Sequence, residues 1–280
     1  MRHAFRGPPR ALSHYIAPVL RTVRAQRYVM PFREGGSVPA LVEADDLGLY
    51  VVKLKGAAQG PKALVAELVA GEIARALGLA VPELALVEVD AALADNEPDP
   101  ELADPLEASA GLNLGLDYLP GSITFHPVAG PIPDAQTASR IVLFDAFVAN
   151  VDRTARNPNL LGWHRKLWLI DHGAALYFHH GWKRGKETEG TGDPFAEVAS
   201  HVLLRWATAL PEAASHLAGA LSDALLEGVA AQIPEAWLAA DHDFESPDAH
   251  RAAYVSWLRA RRDALPILLQ EAEKAHALRV

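Results

Sequence analysis

Polar groups that rarely sit together punctuate short apolar runs near the middle of this chain. Asp152 is followed five residues later by Asn157, and Asp171 comes fourteen residues after that Asn. The first two lie between Asn150 and Leu161. Asp171 closes the apolar run Leu167, Trp168, Leu169, Ile170 and is followed by His172 and Gly173. A carboxylate at a strand end before a glycine turn is fixed in direction yet open to a ligand. One Asp that orients or deprotonates an attacking group, with an Asn and a second Asp that hold Mg²⁺ on nucleotide phosphates, is the layout of a phosphoryl-transfer site. The fold must therefore bring the end of a helix and a hairpin-like pair of short strands to one place.

Each residue also has an ordinary explanation. An Asp after a helix often makes a local turn or caps the next element. Asn157 with Pro158 and Asn159 is simple turn chemistry, and Asp171 can cap a turn at Gly173. The joint arrangement at the ends of apolar elements favours the functional reading. Arg153 and Arg156 read as surface charges that also sit where a phosphate or peptide would pass, and Arg is the better fork for such groups. His172 reads as structural. His179, His180 and the other histidines lack a metal spacing such as H-E-x-x-H.

The first part of the chain is rich in strand patterns. Tyr28–Phe32 reads as a short edge strand because of Pro31. Val38–Ala44 and Leu49–Leu54 form a predicted hairpin around Asp45, Asp46, Leu47 and Gly48. Gly60 and Pro61 open a helix that carries Leu64, Leu68, Ile73 and Leu77 and stops at Gly78. Pro82–Val89 and Leu112–Leu119 are further strands. The acidic stretch from Ala91 to Ala110, broken at Pro98, Pro100 and Pro105, reads as an exposed and mobile insert. Pro120 and Gly121 mark the expected hinge between two lobes.

Lys53 lies on the strand face opposite Tyr50 and Val52. On a half-buried sheet such a Lys commonly faces solvent, but here a helix with Glu67 and Glu72 follows. Glu67 borders the packed face of that helix and can reach Lys53, which leaves the ammonium positioned for nucleotide phosphates. Glu72 is the second candidate partner, and the sequence alone does not choose. Gly35, Gly36 and Ser37 form either a plain turn or a loop whose N–H groups approach phosphates. They match neither a Walker A loop nor a complete G-x-G-x-x-G.

Ala135–Asn150 has an apolar stripe at helical spacing through Ile141, Phe144 and Val148. Ala174–Thr191 has no periodicity. Its glycines and the run Lys183, Arg184, Lys186 suggest a mobile loop that governs substrate access, or a plain connector. From about Asp193 onward the pattern is helical, with a long helix near His250–Leu265 and another after Pro266.

Composition sets the outer limits. A formal net charge of −9 argues against a general nucleic-acid binder. The absence of cysteine removes disulfides, thiolate metal sites and a Cys nucleophile. No apolar run reaches the roughly 18 residues of a membrane span, and the basic N-terminus lacks a signal-peptide core. A soluble cytoplasmic protein is expected.

The chain resembles the HipA-like kinases, within the wider set of atypical kinases that includes the phosphatidylinositol 3- and 4-kinases. The likeness rests on Tyr50–Leu54, Leu64–Leu68, Leu77–Glu83, Asp152–Asn157 and Leu169–Gly173. It spans about residues 50 to 173. It implies that Asp152 lies in the catalytic loop, that Asn157 and Asp171 bind the metal, and that Lys53 binds phosphate. Loops of the HipA type usually read D-x-H-x-K-N. Here Thr154 stands for the His and Arg156 for the Lys, so the acceptor stays open. The chain is expected to be too short at its N-terminus for the complete extra domain of HipA toxins, and no antitoxin partner is assumed.

The expectation is an α+β, two-lobed protein-kinase-like fold. Residues 1–120 would form a small antiparallel β N-lobe with one helix, and residues 121–280 a mostly helical C-lobe. ATP and Mg²⁺ would bind near Leu116–Gly121, with Asp117, Tyr118 and Leu119 against the nucleotide. The acceptor would be a hydroxyl of a protein Ser or Thr or of a small molecule. Two alternatives stand beside this one: a non-catalytic nucleotide-binding or pseudokinase module, and a metal-dependent hydrolase that uses Asp152, Asp171 and a His.

Overall fold

A computed structural model describes residues 19–32, 39–57, 60–96, 99–128, 132–239 and 241–279. Gly35, Gly36 and Ser37 lie outside these described residues.

Five strands close into a small barrel in the order β1-β2-β3-β5-β4. They are β1 (Thr22–Pro31), β2 (Ala40–Ala44), β3 (Leu49–Lys53), β4 (Leu84–Val89) and β5 (Gly111–Asp117). Four of the pairs are antiparallel. The fifth is parallel, β1 against β4 with Thr22 opposite Leu86, and it closes the ring. The expected small antiparallel sheet is thus corrected: it closes into a barrel, and one of its pairs is parallel. The strand expected at Tyr28–Phe32 extends back to Thr22, and that added length is the part that meets β4. Closure removes the unpaired edges that an open sheet would expose.

The barrel is filled by Val23, Val42, Tyr50, Val52, Val87 and Leu106, with small side chains such as Ala25, Ala44 and Ala85 between them. Gly115 on β5 is needed for that packing. A Cβ there would stand 2.6 Å from Val87 Cγ2 and 3.2 Å from Tyr50 Cβ.

The helix α1 (Pro61–Ala76) leaves the barrel and is buried on nearly every side from Leu64 onward. It belongs to the larger core, which it shares with Leu84, Leu114 and Leu116 of the barrel and with the helices that follow. Gly78, at φ 76°, ends it as expected. A second helix, α2 (Pro100–Glu107), corrects both the single-helix count and the reading of this stretch as an exposed insert. Leu106 is 1% exposed, and its burial in the barrel outweighs the acidic, Pro-broken composition around it.

Beyond the barrel, β6 (Ile123–Thr124), β7 (Leu160–Trp163) and β8 (Lys166–Leu169) make a small antiparallel sheet. The helices are α3 (Ala135–Phe147), α4 (Leu210–Ala220), α5 (Asp223–Ala230), α6 (Glu235–Leu238), α7 (Pro247–Asp263) and α8 (Leu265–Ala277). Asp134 caps α3 by accepting the Thr137 N–H at 2.8 Å. Among the described residues, no helix is long and apolar enough to cross a membrane.

Candidate active site

Three segments meet at Glu67 of α1. β3 brings Lys53, α1 brings Glu67, and the segment after β8 brings Asp171 and His172.

Lys53 Nζ donates to Glu67 Oε2 at 2.8 Å and also contacts the Asp171 carboxylate. The Lys53 side chain is only 9% exposed. Burial opposes its charge, but the carboxylates of Glu67 and Asp171 outweigh that and raise its pKa above the ordinary value. Burial likewise works against ionised Glu67, yet Lys53 and His172 hold its carboxyl well below the usual range. Of the two candidate partners, Glu67 makes the contact. Glu72 pairs with Arg75 one turn along the same helix, at 3.4 Å.

Glu67 also accepts the His172 backbone N–H at 2.7 Å, and its other oxygen lies 3.1 Å from His172 Nδ1. One buried carboxylate therefore fixes both Lys53 and the backbone next to Asp171. Asp171 itself has φ 55°, a left-handed conformation that a non-glycine residue adopts at a cost. Its side chain remains 41% exposed, facing outward beside the Lys53 ammonium.

The loop after α3 forms the other half. Asp152 Oδ2 accepts from Asn157 Nδ2 at 2.7 Å and from Asn159 Nδ2 at 3.2 Å. Asn159 Nδ2 also lies 3.4 Å from the carbonyl oxygen of Asp171. Asn159 thereby links the two aspartates. Its φ of 48° marks a second strained position in the same place. Asp152, Asn157, Asp171, Lys53 and Glu67 are thus gathered into one region by four segments: β3, α1, the loop after α3 and the stretch after β8.

Asp117, Tyr118 and Leu119 lie where β5 leaves the barrel. The Asp117 N–H donates to Glu83 O and the Tyr118 N–H to Leu49 O, both at 2.9 Å. Trp163 Nε1 of β7 donates to Pro120 O at 2.9 Å, joining this crossing to the small sheet.

Arg153 is corrected. It is not a surface charge but is 1% exposed. Its Nε donates to Asp145 Oδ2 at 2.7 Å. Asp145 also accepts from Asn150 Nδ2 at 2.8 Å and lies 2.9 Å from His201 Nε2. Burial works against the Asp145 charge, but Arg153 and His201 bring its pKa down to about 2. His201 has its pKa lowered, chiefly by burial. As a neutral ring it donates from Nε2 to Asp145, while Nδ1 accepts the Leu203 N–H at 3.0 Å. Arg156, by contrast, is exposed. The sequence held a signal for this network: Asp145 sits among Leu143, Phe144, Ala146 and Phe147, and a carboxylate inside an apolar helix needs a buried partner.

Ala174–Thr191 divides in two. Tyr177–Gly181 forms a 3-10 turn, and Trp182 is buried against Phe178, Tyr254 and Phe244. Lys183, Arg184 and Lys186 are exposed. Arg184 pairs with Glu245, and Lys186 with Glu189 at 3.0 Å. Its first half is packed into the core, with Ala175, Leu176 and Trp182 buried, and its basic run is exposed.

A metal-dependent hydrolase would need His ligands beside Asp152 and Asp171. Among the described residues, no group of three or more His, Cys, Asp or Glu side chains is placed to hold a metal ion.

No curated protein sequence matches the chain. Among solved structures, it is similar to a Helicobacter pylori proinflammatory kinase, CtkA. The TM-score is 0.53 at 12% identity, over 89% of this chain and 97% of that one. That likeness concerns the fold. The sequence evidence is broader than the motifs themselves, since the model of the HipA-like kinase family matches residues 26–262. With most of its length matched, and with Lys53, Glu67, Asp152, Asn157 and Asp171 in one place, this chain belongs to the HipA-like kinase family.

Proposed function

We propose that the protein is an ATP- and Mg²⁺-dependent kinase that phosphorylates a hydroxyl of a protein Ser or Thr or of a small molecule. The observation that carries this reading is the buried Lys53–Glu67 pair, with Asp171 on its open side. A cation held beside an exposed carboxylate, next to a second Asp–Asn group, suits a polyphosphate with its metal.

The donor set fits Mg²⁺. The Asn157 amide nitrogen is committed to Asp152, which leaves its carbonyl oxygen as a ligand. Asp171 offers a carboxylate that is partly exposed. Two hard oxygen donors, with waters and phosphates completing the shell, are typical of Mg²⁺ at nucleotide sites. When bound, ATP with Mg²⁺ would supply the transferable phosphoryl group and the charge that offsets its oxygens.

The chain's own residues divide the remaining work. Lys53 neutralises phosphate charge, and Glu67 holds it in place. Asp171 and Asn157 would hold the metal. Asp152 would orient the acceptor hydroxyl and take its proton, and the hydrogen bonds from Asn157 and Asn159 fix its direction. The crossing at Asp117, Tyr118 and Leu119 would receive the base of the nucleotide, and Pro120 with Gly121 would serve as the hinge between the barrel and the helical part.

A thermal-shift titration tests the reading. ATP with Mg²⁺ should raise the melting temperature, and EDTA should remove most of the effect. No shift at millimolar ATP would sink it. Binding without turnover on any hydroxyl acceptor would favour the pseudokinase alternative, which the Thr154 and Arg156 departures motivate.

A further inference from the structure

We infer that Arg153 is a positioning residue that locks the two halves of the site in register. The inference rests on the phosphotransfer reading above.

Arg153 follows Asp152 directly, yet it turns away from the site into the core. Its Nε is paired with Asp145. Its Nη1 donates to two backbone carbonyls, those of Asn159 and of Ile170, the latter at 3.3 Å. These carbonyls are not arbitrary. Asn159 is the residue whose amide links Asp152 to the Asp171 backbone. Ile170 immediately precedes Asp171. The Ile170 N–H also donates to Asn159 O, at 3.1 Å. The guanidinium therefore sits at the point where the loop bearing Asp152 and Asn157 crosses the segment bearing Asp171.

Both crossing segments hold a non-glycine residue at positive φ: Asn159 at 48° and Asp171 at 55°. Asn and Asp visit this region more readily than other non-glycine residues, and the hydrogen bonds at the crossing select it here. Arg153 supplies those contacts from beneath. Asp145, itself held by Asn150 and His201, keeps the guanidinium oriented. A planar fork is required here, because an ammonium is a point charge that cannot reach the carboxylate and both carbonyls in one fixed plane. Arg153 would touch neither nucleotide nor acceptor. It would act through Asn157, Asn159 and Asp171, by fixing the spacing of the metal-binding oxygens.

The test uses the full chain with Arg153→Lys and Asp145→Asn. Three quantities are measured: thermal stability, hydrogen exchange by segment, and binding of a fluorescent ATP analogue with and without Mg²⁺. Disturbed support of metal ligands typically costs about 10- to 100-fold in metal affinity or activity. Arg153→Lys should lose Mg²⁺-dependent analogue affinity by about that factor while keeping metal-free binding. Exchange protection should fall at 157–159 and 170–172 and be unchanged in α8. Asp145→Asn should show the same selective pattern, more weakly. Unchanged metal dependence in a folded Arg153→Lys protein would overturn the inference. So would loss of protection spread evenly over the whole chain in both variants, which would make Arg153 a plain core residue. Failure of the wild-type protein to bind the analogue with Mg²⁺ would instead overturn the kinase reading.

Discussion

The Glu67 carboxylate accepts the backbone N–H of His172 at 2.7 Å, across 105 residues of sequence. The same carboxylate oxygen receives Lys53 Nζ at 2.8 Å. The helix α1 is thus tied at one point both to the barrel and to the segment that carries Asp171. Any displacement of α1 must move the cation and the carboxylate of the candidate site together.

Glu67→Ala should be strongly destabilising. Removing one partner of a buried pair leaves the other charge uncompensated, at a cost on the order of 3–5 kcal/mol. Urea unfolding of the wild-type and variant proteins measures it. A loss below about 1 kcal/mol would mean that Asp171 neutralises Lys53 alone, and that Glu67 does not hold the site together.

Stability should fall in acid. The carboxyls of Glu67 and Asp145 are both depressed in the folded state. A depressed carboxyl stabilises the fold above its unfolded pKa and loses that contribution as pH falls through its folded pKa. For Asp145 the window runs from 3.8 down to about 2. Linkage makes this depression a stabilising contribution at neutral pH that is lost as Asp145 is protonated. Urea midpoints measured from pH 6 to pH 2 should drop steeply below pH 4 in the wild-type protein. Asp145→Asn should flatten part of that drop, and an unchanged slope would refute the assignment.

Asp171→Ala should lose Mg²⁺-dependent nucleotide binding, because it removes a proposed metal ligand. Asp152→Ala should keep most of that binding and lose turnover, because its proposed role lies in the chemical step. Titration with an ATP analogue, beside phosphotransfer or ATP-hydrolysis rates, separates the two. Equal loss of nucleotide affinity in both variants would contradict the division of roles.

Lys53, Glu67 and Asp171 were legible because each interrupts an apolar pattern, whereas Asp152 and Asn157 were flagged by their spacing after a helix. Lys53 breaks a strand of Tyr and Val, Glu67 breaks a buried helix, and Asp171 ends an apolar run. Local pattern is enough to flag such positions. Barrel closure was not legible, since the pairing of Thr22 with Leu86 depends on two segments whose own sequences do not specify each other. The helix at Pro100–Glu107 was missed for a related reason: its acidic composition is local, whereas the burial of Leu106 is a long-range contact. The inward turn of Arg153 was hidden because Arg after a loop Asp is equally at home in solvent. Its partner Asp145 lies on the preceding helix, and spacing alone does not show that the two side chains meet.

The basic run Lys183, Arg184, Lys186 offers a cleaner test of substrate access than truncating its segment would. Trp182 anchors the segment, and replacing it with Ala would cost about 3–5 kcal/mol in lost packing, which would confound any change in activity. Reversing the three charges to Glu leaves that anchor intact. The pairs that would be broken, Arg184 with Glu245 and Lys186 with Glu189, are both well exposed. Exposed pairs contribute about 0–1 kcal/mol each, so the melting temperature should shift little. If the run receives an anionic acceptor, phosphotransfer should show a raised KM for that acceptor that weakens at high salt, with KM for ATP unchanged. Unchanged kinetics toward an identified acceptor would make the run a solvated connector and remove it from the account of substrate access.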